Sequence, residues 1–239
     1  MLTEWSRAAC YISHMSLDPS SDKPRRGRLW LLLLLAVAGL IIGWAQPWGV
    51  DDLLGVGHAF AAQPLFLGMV VLAMAVLFSF GLPGSLGVWL IAPFQPPLVA
   101  TSLLVIGSVA GALGAYHFSA RLRGDWQPEG LSRRVVDLLS RHGGWATQTA
   151  LRVLPGFPHS VVNFAGGVLS LGRPGFLGAA LIGLSIKWAV YASAIHGLVE
   201  AVESDQAMAL TTIWPLLLLS LFLLLGTAAR HWLLNRDNG

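Results

Sequence analysis

Two basic residues of this chain stand where charge is expensive. Arg152 and Lys187 lie inside apolar stretches, and no Asp or Glu occurs from 53 to 124 or from 138 to 199. At the centre of a bilayer a charged side chain costs ~2.5–3.5 kcal/mol on insertion scales. Two cations without an acidic partner favour an anion, and a lipid phosphate is the obvious one. Arg152 precedes Leu154-Pro155-Gly156-Phe157-Pro158, a proline pair that no helix passes through intact. After Pro158 a helix is expected to restart, with free N–H groups at His159 and Ser160 that suit the same anion. A second Leu-Pro-Gly stands at 82–84. There Pro83 and Gly84 form the turn and Ser85 is expected to cap the helix that follows.

Each of these residues also has a plainer reading. Arg152 donates to carbonyls of its own broken helix and holds it together. Lys187 snorkels or caps a carbonyl. Asn163 either ties the broken segments to each other or touches substrate. The histidines His117, His159 and His196 show no ligand spacing; they are structural or form a proton relay. No Gly-x-Ser-x-Gly, paired carboxylates or His/Asp/Glu cluster appears, and Cys10 is the only cysteine. Neither an enzyme, a metal site, a cofactor nor a disulfide framework is expected.

The elements that must position these residues are membrane elements. Hydrophobic residues make up 55% of the 239, and charged residues 11%; a soluble domain carries about 25% charged. Too little polar surface exists to clothe a water-facing globule, which excludes a soluble enzyme, a disordered chain and a nucleic-acid binder. Long apolar runs occupy about 29–45, 65–80, 85–94, 99–120, 176–198 and 208–229. The first is expected to be an uncleaved anchor reaching to 48, although Gly43-Trp44-Ala45 loosely resembles a signal-peptide cleavage site.

Charge assigns the sides. Basic residues cluster in 1–28 and 121–144, while 46–64 and 199–207 hold acids and no Lys or Arg. Basic segments stay cytoplasmic. With single crossings at both 65–80 and 99–120, the five arginines of 121–144 would face outward. Segment 64–98 is therefore expected to enter and leave on one side, bent at Phe80-Gly81-Leu82-Pro83-Gly84-Ser85. Segment 145–172 repeats this from the cytoplasmic side. Each hairpin is followed by a spanning helix, 99–120 and 176–198, which gives an inverted repeat. Between the halves, Leu131, Val135, Leu138 and Leu139 share one helical face, with Arg133, Arg134, Asp137 and Arg141 opposite. That pattern is an interfacial helix or a solvated linker.

These residues resemble the VTT-domain (SNARE-associated Golgi protein) family of the DedA superfamily. The likeness is carried by Leu151-Arg152-Val153-Leu154-Pro155-Gly156-Phe157-Pro158 with Asn163 and Gly166, by Gly111, Gly114 and Ser119-Ala120-Arg121, and by Phe176 and Gly183. It covers about 65–200. The resemblance implies a multi-pass membrane protein that moves or scrambles lipids; bacterial members are linked to polyprenyl-phosphate recycling and to the proton-motive force. Two positions depart from it. Ser85 stands where some members have an acid, and Lys187 where relatives often have proline.

The sequence therefore leads to an all-α integral membrane protein, an inverted repeat of re-entrant hairpin plus transmembrane helix, with flanking N- and C-terminal transmembrane helices. Its parts are a tail 1–28, whose true start could be Met15, and a helix 29–48. Repeat one is 64–120 (hairpin 64–98, helix 99–120) and the linker 121–144. Repeat two is 145–200 (hairpin 145–172, helix 176–198), followed by a last helix 208–229 and a tail 230–239. The expected setting is the plasma (bacterial inner) membrane, both termini cytoplasmic. The expected partners are phosphate-bearing lipids and a further copy of the chain, with no nucleic acid. Pro83, Gly84, Ser85, Arg152, Pro155, Pro158, His159, Ser160, Asn163 and Lys187 are the substrate-binding candidates. A proton- or ion-coupled small-solute transporter and a non-transporting scaffold are the alternatives to a lipid translocase or scramblase.

Overall fold

The computed structural model describes residues 50–121, 128–155, 159–203 and 210–235. The described residues from 51 onward belong to one compact unit; the expected tail 1–28 and first helix 29–48 lie outside the described residues, as does Pro158. Among the described residues the structure is all-helical. Its helices are α1 (Val50–Ala61), α2 (Pro64–Ser79), α3 (Gly87–Ile91), α4 (Pro97–Arg121), α5 (Gly130–Arg141), α6 (Trp145–Val153), α7 (His159–Val168), α8 (Arg173–Glu203) and α9 (Leu210–Asn235), with a 3-10 turn at Gly84–Leu86.

Two of these, α4 and α8, are long and apolar enough to cross a membrane. A third span arises if α1 and α2, which meet at 89°, form one broken crossing. In α9 the apolar part is Ile213–Ala229, at the ~17-residue lower limit for a crossing. The outward surface is apolar as well. Leu65, Leu72, Leu98, Ile106, Trp214 and Leu224 are each more than half exposed, as expected of helices solvated by lipid and not of a water-soluble surface.

Proline and glycine set the breaks at 62–64, 80–84 and 154–155. At the α1–α2 corner Pro64 opens α2 and leaves Gln63 extended at ψ 115°, because the residue before proline is barred from the helical region. The helix at Val50–Ala61 has no counterpart in the reading of 46–64 as an outside connection. It packs on the turn after α3, where Gln95 Nε2 donates to the Ala61 carbonyl at 2.7 Å.

The bend after α2 is made by Gly81. Its φ is +76°, and Leu82 N–H reaches the Leu77 carbonyl while Gly81 N–H reaches that of Phe78. This is a Schellman ending, which asks for a left-handed residue at this position. Ser85 does not cap the helix that follows. It lies within the 3-10 turn, and neither that turn nor α3 has a side-chain capping bond. The chain turns at Gly81 and re-forms through Gly84, so Ser85 is already inside the coil when the next helix starts.

In the second half, Leu154 is extended ahead of Pro155 and ends α6. Helix α7 closes in another Schellman arrangement, with Ser170 at φ 52° and Leu171 N–H on the Gly166 carbonyl.

Small residues let the helices approach. Gly111 of α4 sits on Ala75 and Phe78 of α2, and Gly183 of α8 on Thr149 and Arg152 of α6. Helix α4 also packs against α7 and α8, and α8 against α9. Met74, Phe78, Ile91, Leu104, Leu184 and Trp188 form one core across α2, α3, α4 and α8. A second core joins α5, α6 and α7 through Val135, Leu139, Leu151, Val161, Val162 and Ala165. Val135 and Leu139 of α5 are thus buried against α6 and α7, while Leu131 and Leu138 of the same face are half-buried. Val135 and Leu139, which are 0% and 1% exposed, pack with Val161, Val162 and Ala165.

Candidate functional site

The site forms where α8 crosses the α6–α7 pair. On α8, residues Phe176, Gly183 and Lys187 follow at helical spacing and face that pair in turn. Phe176 lies under the Arg152 guanidinium, 4.6 Å from Cζ to the ring centroid. Gly183 leaves room for the Arg152 Cβ. Lys187, one turn further, meets His159 across a hydrogen bond of 2.5 Å between Nζ and Nε2. Gly166 of α7 is seated on Phe176 at the other end. The run 176–187 of α8 therefore passes α7 in the antiparallel sense, from Gly166 to His159.

Arg152 is fully buried. Its Nη1 donates to the Gln148 carbonyl at 3.2 Å, so part of its plainer reading holds: it does bond to its own helix. Among the described residues its Nε and Nη2 have no partner. Those two N–H groups form the side-on fork that binds carboxylate or phosphate through two parallel bonds. The Phe176 ring and the Gln148 carbonyl fix the plane of that fork. Gln148 is buried beside it with Oε1 also unpartnered, while its Nε2 donates to the Gly143 carbonyl.

Lys187 neither snorkels nor caps a carbonyl. It is 8% exposed, hydrogen-bonded to His159, and lies 5.6 Å and 5.7 Å from the ring centroids of Trp188 and Tyr191. His159 also meets Phe78 of α2 edge-on, with centroids 6.5 Å apart. A cavity of about 10 Å³ lies beside it, lined by Phe78, Ser108, His159, Asn163 and Leu184. Above the cavity, Trp188 Nε1 donates to Ser108 Oγ at 2.9 Å.

Arg152, His159, Asn163 and Lys187 are thus drawn together by α6, α7 and α8. Ser160 faces the other way along α7, toward Gly81 of the first bend, which also touches Phe164. Pro155 packs against Gly226 of α9. Gly84 is buried against Met74 and Phe78 of α2, while Pro83 and Ser85 are exposed. The first bend therefore meets the second half through Gly81, which was not among the candidates. Gln148 and the Phe176 ring were also missed as site residues. Gln148 stands four residues before Arg152, on the same helical face, and that spacing is the signal that would have found it. Nothing in the sequence announces the Phe176 contact.

Compared with known protein families, curated proteins and solved structures, the chain matches none.

Proposed function

We propose that this chain is a lipid or lipid-phosphate translocase or scramblase, not an enzyme, built on the DedA/VTT plan that its sequence resembles. The observation that carries the reading is the unspent fork of Arg152. A fully buried guanidinium keeps two N–H groups without a partner among the described residues, in a region whose sequence offers no carboxylate. Leaving such donors unmade costs about 1–3 kcal/mol or more for a charged group. A passing phosphate would satisfy both.

A repeated packing relation supports the inverted repeat. The two Leu-Pro-Gly tripeptides are offset by the same number of residues as Gly111 and Gly183. Each glycine sits on the final turns of the helix that precedes its tripeptide. In this reading the segments around 80–85 and 154–159 are the tips of two re-entrant hairpins entering from opposite faces. The protein then lies in the plasma membrane with both termini cytoplasmic, and its partners are phosphate-bearing lipids and further copies of itself. Buried acids, which a proton-coupled solute transporter commonly uses, are lacking between 138 and 199, and a scaffold gains nothing from broken helices in lipid.

The test is a headgroup-accessibility assay in proteoliposomes with purified protein, using several fluorescent phospholipids and a polyprenyl phosphate. Faster exposure of phosphate-bearing lipids than in protein-free vesicles is expected. Equal rates with and without protein for every lipid would overturn the proposal.

A further inference from the structure

The contact between Lys187 and His159 joins two basic side chains in the protein interior, and it constrains their protons. While Lys187 is an ammonium it has donors only, so His159 Nε2 accepts and the ring proton sits on Nδ1. An imidazolium has no lone pair to offer. Protonation of His159 therefore ends the bond and sets two cations side by side.

We propose that Lys187 and His159 form a proton-released anion site: neutral His159 holds the Lys187 ammonium, and protonated His159 frees it, so that an anion enters together with one proton. The identity of the anion as a lipid phosphate rests on the reading above; the latch itself does not. Three observations support it. The freed ammonium need not leave, because the Trp188 and Tyr191 rings already flank it and attract a cation. The cavity beside His159, about 10 Å³, has room for about one water or one anionic oxygen. Its wall carries the Asn163 amide and the Ser108 hydroxyl, whose Oγ accepts from Trp188.

The groups around His159 leave the added charge uncompensated. From α8 come Lys187 and, beyond it, Tyr191. From α6 comes Arg152. Helix α2 presents Phe78 and α4 presents Ser108. The buried contacts of α5 are Val135 and Leu139, and α7 itself adds Asn163. No carboxylate is among them, so an anion from outside is the available counter-charge.

The experiment is calorimetric titration of sulfate into the full, detergent-solubilised chain from about pH 4 to 8, which reaches well below the ordinary histidine range. Sulfate remains a dianion throughout. Binding is expected to tighten as pH falls, by at most about tenfold per pH unit, the limit for one proton taken up per anion. His159→Gln keeps an acceptor for Lys187 but cannot take a proton, so its affinity is expected to be flat with pH. Lys187→Met is expected to lose the acid gain as well, and serves if the first variant does not fold. A flat wild type, no sulfate binding at any pH, or an unchanged slope in folded His159→Gln would each overturn the latch. Proton-linked sulfate binding without lipid movement would leave the latch standing and defeat the translocase reading. Lipid movement with pH-independent sulfate binding would do the reverse.

Discussion

The guanidinium of Arg152 lies on the ring of Phe176, 4.6 Å from its centroid, and the Gln148 carbonyl holds only one of its nitrogens. The charge is oriented by an aromatic face and one backbone acceptor, and the fork is left open. Arg152→Lys keeps the charge but loses the planar stack and the fork. It is expected to lower stability by about 0.5–2 kcal/mol, the range of a cation–π contact, and to remove movement of phosphate-bearing lipids. Thermal melting in detergent beside the proteoliposome assay separates the two effects. A variant that melts like the wild type and still moves lipid would mean that the fork has no substrate role.

Glycine contacts give a second prediction. A Cβ at Gly111 would stand 2.5 Å from the Phe78 Cβ and 2.9 Å from the Ala75 carbonyl oxygen, and one at Gly183 would stand 2.9 Å from the Arg152 Cβ. Gly111→Ala and Gly183→Ala should each destabilise by about 1–3 kcal/mol. Gly68, which has nothing within 4 Å, is the control: Gly68→Ala should be neutral or gain up to about 1 kcal/mol. Equal melting temperatures for all three would contradict the close approach of these helices.

The bond between Trp188 and Ser108 couples α8 to α4 in the interior. Ser108→Ala leaves the indole N–H unpaired and should cost about 1–3 kcal/mol. Trp188→Phe removes the donor as well. In the double variant the serine should therefore matter less, and a double-mutant cycle with zero coupling energy would rule the bond out.

The meeting of the first bend with α7 can be trapped. The Cβ built at Gly81 is 3.5 Å from the Ser160 Cβ, within the spacing of about 3.5–4.5 Å that a disulfide needs. With Cys10→Ser in the background, the pair Gly81→Cys and Ser160→Cys should oxidise to an intramolecular link visible as a gel shift. The left-handed backbone at 81 adds a cost of about 1–2 kcal/mol, so each single variant is melted alongside. Two well-folded, uncross-linked cysteines would separate the bend from α7.

Sidedness is the remaining prediction. Asp51→Cys and Glu203→Cys should react with an impermeant thiol reagent from outside, whereas native Cys10 and Arg134→Cys should not. Outside labelling at 134 would remove the re-entrant reading of 64–98, because the charge parity that motivates it would be gone.

The sequence by itself determined the helical, apolar character of the chain, because lipid-length runs with 11% charge leave few other ways to satisfy the backbone. It also located the breaks at 80–85 and 154–158, since proline and glycine act through their own backbone and need no neighbour. Arg152 and Lys187 stood out for the same local reason, as charges in apolar surroundings. What their charges meet was decided only by tertiary structure. His159 is 28 residues from Lys187, and Phe176 is 24 from Arg152, so neither partnership has a periodic signature. The face of α5 shows the limit most clearly. Leu131, Val135, Leu138 and Leu139 look the same to lipid as to protein in a hydrophobic pattern, and only the surface of α7 settled which of them Val135 and Leu139 would meet. Likewise the bend could be read from Pro83 and Gly84, but the residue that turns the chain is Gly81. Its left-handed φ belongs to the Schellman bonds that close α2.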